Sequence, residues 1–163
     1  APNAPASGFP PATERPISDL QKLQVSDQAN LGTRVAFPGK VVVVNDKPAD
    51  FCIGCTTAAT DGGVSDAGPK DGGAKDGGAK EPLYTAFEVR AEGAAASDPT
   101  ALISTSNYVD LKKGSCHVSA PPPNGTVFTK LGGVLSIYEK KVDGGVKTYY
   151  QIQPAACDEY DKQ

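Results

Sequence analysis

The chain has 163 residues, of which 18 are glycine and 14 are proline, and Leu, Ile, Val and Phe together number only 32. This composition supports one modest hydrophobic core and therefore a single folded domain. The net charge of −3 gives no electrostatic reason to expect a nucleic acid or an anionic lipid surface as partner. No apolar run approaches the roughly 18 residues that a membrane span requires.

Residues 1–16 form a Pro- and Ala-rich lead that contains five prolines, and Phe9 is its one large apolar residue. We expect this lead to be disordered and the folded domain to occupy residues 17–163. The chain contains no methionine, which indicates that an export signal preceded Ala1 and was removed. A lipid anchor before Ala1 fits the same pattern. The expected location is secreted, periplasmic or on the cell surface.

The first predicted elements are a short helix and a long bent strand. Ser18 resembles a helix N-cap, and Ile17 and Leu20 would share one face of the turn that follows. Valines and other β-branched residues then lie on either side of Gly39, which predicts one strand over 33–45 that bends at this glycine.

Two shorter strands are predicted next, over 83–90 and 101–111. In the first of them Leu83, Phe87 and Val89 occupy alternate positions and are expected to face the core. A Gly-rich insertion at about 60–81, with a perfect repeat of KDGGA, precedes it and predicts a flexible loop. A calcium site built from the aspartates of the insertion is less favoured, because the lysines cancel their charge.

The last two predicted strands form a hairpin. Residues 126–140 read as a second long strand that bends at Gly132 or Gly133, and residues 147–153 read as its return strand after the Asp-Gly-Gly turn signal. The chain is therefore expected to be all-β, with five strands of which the two longest bend at glycine.

This order of elements resembles a known family. The segments GTRVAFPGKVVVV at 32–44 and LGGVLSIYEKKVDGGVKTYYQI at 131–152 carry the resemblance. They resemble the five-stranded oligonucleotide/oligosaccharide-binding (OB) fold, in the variant seen in secreted and surface proteins of bacteria. The resemblance implies an OB-like Greek-key barrel with a short N-terminal helix and a long Gly-rich loop insertion. It implies no catalytic residues.

The four cysteines have the most distinctive chemistry. Cys52 and Cys55 form a Cys-x-x-Cys pair in a loop-like context, Cys116 lies beside the sole histidine, His117, and Cys157 follows the last strand. An even number of cysteines in an exported chain favours structural disulfides. Of the three pairings that four cysteines allow, we prefer Cys52–Cys55 with Cys116–Cys157. A zinc site that uses these cysteines and His117, or a redox-active pair, is the alternative.

No motif predicts catalysis or a cofactor. The sequence contains no Gly-x-Ser-x-Gly elbow, no phosphate-binding Gly-rich loop and no dinucleotide-binding fingerprint. We therefore expect no enzyme activity, no cofactor and no metal. The expected function is that of a non-catalytic extracellular or cell-surface interaction module, whose partner is another surface or envelope protein of a larger assembly.

An alternative function is binding of a nucleic acid or a carbohydrate through exposed tyrosines on the barrel face. In that case tyrosines should cluster on one concave face, with Lys or Arg around them. The candidate binding residues are Tyr84, Tyr108, Tyr138 and Tyr149. Tyrosines that are dispersed or buried would favour the interaction module instead.

Overall fold

The computed structural model describes residues 11–20, 22–23, 30–53, 55, 82–105, 121–142, 144–154 and 159–162. Strands dominate these residues, so the prediction of a mostly β chain is confirmed. In chain order the elements are β1 (Thr13–Glu14), α1 (Ile17–Leu20), β2 (Arg34–Ala36), β3 (Val41–Asn45), a 3₁₀ turn (Ala49–Phe51), β4 (Cys52–Ile53), β5 (Leu83–Tyr84), β6 (Ala86–Ala91), β7 (Ala101–Ser104), β8 (Val127–Val142), β9 (Gly145–Gln153) and β10 (Tyr160–Lys162). The predicted Gly-rich loop lies outside the described residues.

Most of the strands form one sheet that closes on itself. β8 pairs with β3 near its start and with β9 along its second half, and the sheet runs from β3 through β6 and β7 to β9. Within this ring the pairing of β7 with β9 is parallel and the others are antiparallel. β2 and β10 also pair with β8, whereas β4 and β5 form a separate two-stranded ladder.

The core lies inside the ring because alternate side chains of each strand point to the same face. Its strand residues and their neighbours are buried and apolar: Val35, Phe37, Val41, Val43, Phe87, Val89, Ala101, Ile103, Phe128, Leu131, Leu135 and Ile152. Phe87 and Phe128 stack near its centre with ring centroids 6.0 Å apart. The burial of Phe87 and Val89 confirms their predicted orientation.

The N-terminal segment contributes more to the fold than the sequence predicts. β1 pairs in parallel with β2, and the backbone N–H of Arg15 donates to the Ala36 carbonyl at 2.9 Å. Strand pairing therefore begins before Ile17. Ile17 and Leu20 are buried against the core as predicted, but α1 begins at Ile17, so Ser18 lies inside the helix and not at its N-cap.

The two predicted glycine bends have different forms. The strand expected over 33–45 is two strands, β2 and β3, and Gly39 between them has a φ of +99°. By contrast, β8 passes through Gly132 and Gly133 as one continuous strand. A Cβ at Gly132 would lie 2.5 Å from the Val35 carbonyl oxygen, so glycine is required there for the close approach of β2.

The prediction that Leu83 faces the core is wrong. The expected strand over 83–90 is interrupted at Thr85, and Leu83 belongs to β5, which pairs with β4 outside the ring. Its side chain is 49% exposed. Alternation alone does not reveal that the chain enters a different sheet at this point.

A buried ion pair joins β2 to the segment before β10. Arg34 Nε donates to Glu159 Oε1 at 2.8 Å, and the two side chains are 10% and 4% exposed. The next residue, Tyr160, lies opposite Leu131 in the pairing of β10 with β8. β2 and β10, which are far apart in sequence, both pair with β8, and the ion pair links the two.

Candidate functional site

A cleft on the outer face of the ring brings aromatic and charged side chains together. Leu135 and Ile152 point into the core. Tyr138 is three positions from Leu135 and Gln151 is one position from Ile152, so alternation along the strands directs both outward. The 3₁₀ turn and β4 cross this outward face and enclose a cavity of about 320 Å³. Its lining includes Asp50, Phe51, Ile53, Tyr138, Lys140 and Gln151.

The β8–β9 register determines which side chains meet in the cleft. Tyr138 lies opposite Tyr149, and Lys140 lies opposite Lys147. Because side chains two residues apart in a strand share a face, these four residues lie side by side, and we call them the hairpin face. Like charges directly opposite each other in a sheet are destabilising. The two lysines therefore require an anion nearby.

Asp50 in the 3₁₀ turn supplies that anion. Its carboxylate accepts hydrogen bonds from Lys147 Nζ at 2.7 Å, from Lys140 Nζ at 3.3 Å and from the Tyr149 hydroxyl. Lys140 Nζ also donates to the backbone carbonyl of Asp50 at 2.9 Å. One residue of the turn thus binds both strands of the hairpin and offsets the repulsion between the lysines.

These contacts shift the pKa values of three groups. The hydrogen bond from Lys147, followed by that from Tyr149, holds the pKa of the Asp50 carboxyl far below its ordinary value. The hydrogen bond to Asp50 raises the pKa of the Lys147 ammonium. Burial, followed by the hydrogen bond to Asp50, raises the pKa of the Tyr149 hydroxyl. At neutral pH Asp50 is an anion, Lys147 is a cation and Tyr149 is a neutral donor.

Phe51 forms an aromatic cluster with the two tyrosines of the hairpin face. Its ring centroid is 4.9 Å from that of Tyr149, in an edge-on arrangement, and 5.4 Å from that of Tyr138. Phe51 is 7% exposed, whereas Tyr138 remains 41% exposed. Phe51 is therefore buried against the hairpin and not within the main core, and Tyr138 presents part of its ring to the cleft.

The structure brings together two of the four predicted tyrosines. Tyr138 and Tyr149 have ring centroids 6.3 Å apart and two lysines beside them. Tyr84 lies on the β4–β5 ladder, opposite Cys52. Tyr108 lies outside the described residues. The feature that the alternative function requires, tyrosines next to cations, is thus present at Tyr138 and Tyr149.

Cys52 and Cys55 lie at disulfide distance, with Cα atoms 5.7 Å apart, and Cys52 lines the cleft. Cys116, His117 and Cys157 lie outside the described residues, so the second predicted disulfide and the zinc alternative stay predictions. Within the described ranges, no three His, Cys, Asp or Glu side chains are grouped as a metal site would require.

Asp50, Phe51 and the two lysines of the hairpin face were not among the predicted site residues. The hairpin register could have paired the lysines, because a turn that places Val142 opposite Gly145 also places Lys140 opposite Lys147. Asp50 has no comparable local signal. It contacts these strands across separations of 90 to 99 residues.

Comparison of the chain with protein-family models, with curated proteins and with solved structures finds no match. In the part of the chain that the structure describes, no helix is both long enough and apolar enough to cross a membrane.

The Asp50 contacts predict a pH-dependent contribution to stability. Folding lowers the pKa of this carboxyl, so the stabilisation is complete above the ordinary value of 3.8 and is lost as the pH falls below it. Asp50→Asn should lower the free energy of unfolding at neutral pH by no more than about 1 kcal/mol, because solvent screens a carboxylate that is 38% exposed. The difference between the two proteins should shrink on acidification.

Urea denaturation of the wild-type and Asp50→Asn proteins at about pH 7 and about pH 2 measures this effect. Asp46→Asn is the matched control, because it removes a carboxylate from the same connection without removing a hydrogen bond to the hairpin face. A difference between wild type and Asp50→Asn that is as large in acid as at neutral pH would contradict the assignment.

Proposed function

We propose that the chain is a non-catalytic binding module for a protein partner and that the cleft is its recognition surface. The observation that carries this proposal is the exposed apolar rim of the cleft. Ile53 is 61% exposed and lies opposite Leu83, which is also exposed, and Ile53 and Tyr138 line the same cavity. Adjacent exposed apolar side chains that are bordered by polar residues are typical of protein interaction surfaces.

We further propose that the ring is a five-stranded OB-like barrel. Its strand order supports this, with β2 and β3 together as the first strand, β6 and β7 as the second and third, and β8 and β9 as the fourth and fifth. In the OB fold, ligands bind on the second and third strands, between the loops that follow the first and fourth strands. The cleft agrees with this position in its loops, because Asp50 and Phe51 follow the first strand and the hairpin face flanks the turn after the fourth. It differs in its strands, because the hairpin face belongs to the fourth and fifth strands and not to the second and third.

The electrostatics of the cleft support a non-catalytic role. A general acid or base works best when its pKa lies near the operating pH. In the cleft, mutual hydrogen bonds shift the pKa values of Asp50 and Lys147 away from neutrality, and the pKa of Tyr149 is raised as well. Asp50 and Lys147 therefore keep fixed charges and Tyr149 stays a neutral donor, which serves recognition better than proton transfer.

We propose that the module acts outside the cytoplasm, as part of a surface or envelope assembly. The disulfide-distance pair Cys52 and Cys55 supports an oxidising compartment, where such pairs persist. This location also suits an apolar rim that a partner protein would cover.

The charge balance around the cleft argues against a nucleic acid. A second cavity, on the other side of the 3₁₀ turn, is lined by Asp50, Glu88 and Lys147 among others. The lysines of the hairpin face are thus matched by two carboxylates, and a phosphate backbone would need a positive surplus. A carbohydrate is the second candidate, because the exposed ring of Tyr138 lies beside polar Gln151 in the same cavity.

A photo-crosslinking amino acid at position 138 tests the proposed function. In the cells that produce the chain, the variant should yield a discrete protein adduct. The same amino acid at Asn124, which is exposed in the turn before β8 and does not line the cleft, should not yield it. An adduct that stains as a glycan would favour the second candidate. No adduct, or identical adducts from both positions, would contradict a binding site in the cleft.

A further inference from the structure

Asp50 and Phe51 are held on the hairpin face in the way that a protein holds a ligand. Three donors converge on the Asp50 carboxylate, and Lys140 also binds the Asp50 peptide carbonyl. The adjacent Phe51 ring packs against Tyr138 and Tyr149. The face thus recognises a two-residue unit by its charge, its aromatic ring and its backbone.

The hairpin face is built independently of the unit that it holds. All of its residues belong to β8 and β9, whose register continues from Val134 opposite Gln153 to Val142 opposite Gly145. The unit comes from a separate connection, 90 to 99 residues earlier in the chain. The face therefore keeps its geometry when another segment of the same chemistry replaces the unit.

The contacts of the unit are of a kind that can exchange. Asp50 and both lysines are partly exposed, and ion pairs that solvent reaches contribute little to stability. The turn has a separate attachment, because the Thr85 backbone N–H and hydroxyl donate to the Phe51 carbonyl at 2.9 and 3.2 Å. The Asp50 carboxylate and carbonyl can consequently leave the face while the Thr85 contacts hold the Phe51 carbonyl. The Phe51 ring, which is 7% exposed, leaves when an aromatic ring of the partner takes its place against Tyr138 and Tyr149.

We infer that the hairpin face is a binding site for an acidic residue followed by an aromatic residue in a partner protein, and that Asp50 and Phe51 occupy this site in the absence of the partner. The inference rests on the proposed function, which makes the cleft a protein-binding surface. Occupation by the chain's own residues lowers the apparent affinity for the partner, which equals the intrinsic affinity multiplied by the fraction of molecules in which the face is open.

A peptide segment is favoured over other anionic aromatic ligands for two reasons. Lys140 binds a peptide carbonyl as well as the carboxylate, so part of the recognition is directed at polypeptide backbone. Glu88, which lines a cavity together with Lys147, also keeps its negative charge beside the face when Asp50 leaves, which disfavours a polyanion.

The test uses the full chain with Asp50→Ser and Phe51→Ala, which vacates the face. The probe is the capped peptide Lys-Pro-Ala-Asp-Phe, which copies residues 47–51. Calorimetry should show binding to the vacated variant at least tenfold tighter than to wild type, and amide shifts should change along β8 and β9. A capped Lys-Pro-Ala-Asn-Ala peptide is the matched control and should not bind.

Four results would overturn the inference: no binding of the peptide to the folded variant, equal binding to wild type, equal binding of the control peptide, or binding that survives Lys140→Gln with Lys147→Gln. Binding of oligo(dT) in place of the peptide would overturn it in favour of a nucleic acid. Absence of peptide binding with a retained adduct from position 138 would overturn this inference alone, whereas loss of that adduct would overturn the proposed function as well.

Wild type provides a second measurement if the vacated variant does not fold. Excess peptide should displace the Asp50 and Phe51 side chains and change the amide shifts of residues 49–51 together with those of the hairpin face. Peptide-induced shifts on the hairpin without any change at 49–51, or no shifts at all with peptide in large excess, would overturn the inference.

Discussion

Gly133→Ala is expected to lower the free energy of unfolding by about 3 kcal/mol. A Cβ at this position would lie 2.5 Å from the Gln153 carbonyl oxygen and 2.6 Å from the Pro154 nitrogen. Both atoms belong to the backbone, so no side chain can rotate to make room. Either β8 must move away from the end of β9 or the pairing that closes the ring must loosen.

Alanine variants of three further glycines distinguish destabilisation by steric contact from destabilisation by backbone conformation. Gly132→Ala should cost a similar amount, because its Cβ would meet the Val35 carbonyl oxygen at 2.5 Å. Gly144→Ala, with a φ of +92° and open space around it, should cost about 1–2 kcal/mol. Gly145→Ala, which has neither problem, should have almost no effect. Urea denaturation compares the four variants, and equal stability of Gly133→Ala and Gly145→Ala would contradict the close packing of β8 on β9.

The second large effect is expected from the buried ion pair of Arg34 and Glu159. Arg34→Met or Glu159→Leu should each lower the free energy of unfolding by about 3–5 kcal/mol, because each change breaks a 2.8 Å ion pair whose remaining charged side chain stays buried. The double variant should cost much less than the sum of the two, since neither charge is then left in the interior.

A double-mutant cycle measured by urea denaturation gives the coupling directly. Asp19→Ala is the control, because it breaks the exposed pair of Asp19 with Lys22 and should change stability by less than about 0.5 kcal/mol. An effect of Arg34→Met no larger than that of Asp19→Ala would show that the Arg34 pair is not buried in solution. Strictly additive losses in the double variant would show that the two charges do not interact.

Local patterns predicted the strands of the ring because they describe which face of a strand is apolar. The alternation that predicted burial of Phe87 and Val89 depends only on the neighbouring residues. The same alternation extends through Thr85 to Leu83, where it fails because the chain has left the ring. A periodic pattern contains no information about which sheet a strand joins.

The candidate site was harder to predict because it depends on how the ring closes. The pairing of Tyr138 with Tyr149 follows from the hairpin turn, because each tyrosine lies four residues from the pair Val142 and Gly145 that closes the turn. Asp50 and Asp46 lie in the same polar connection, and no local feature distinguishes them. Only the fold brings Asp50 to Lys147 and leaves Asp46 without that contact.

During synthesis, Glu159 leaves the ribosome 125 residues after Arg34. At 5–20 residues per second this is a delay of roughly 6–25 s. β9, which closes the ring, also emerges late. The nascent chain therefore passes through a stage in which the apolar side chains around Val43 and Phe87 are exposed to solvent. A chaperone or a secretion channel that engages the emerging polypeptide therefore meets a chain that has not yet folded, because closure of the ring requires residues that have still to be translated.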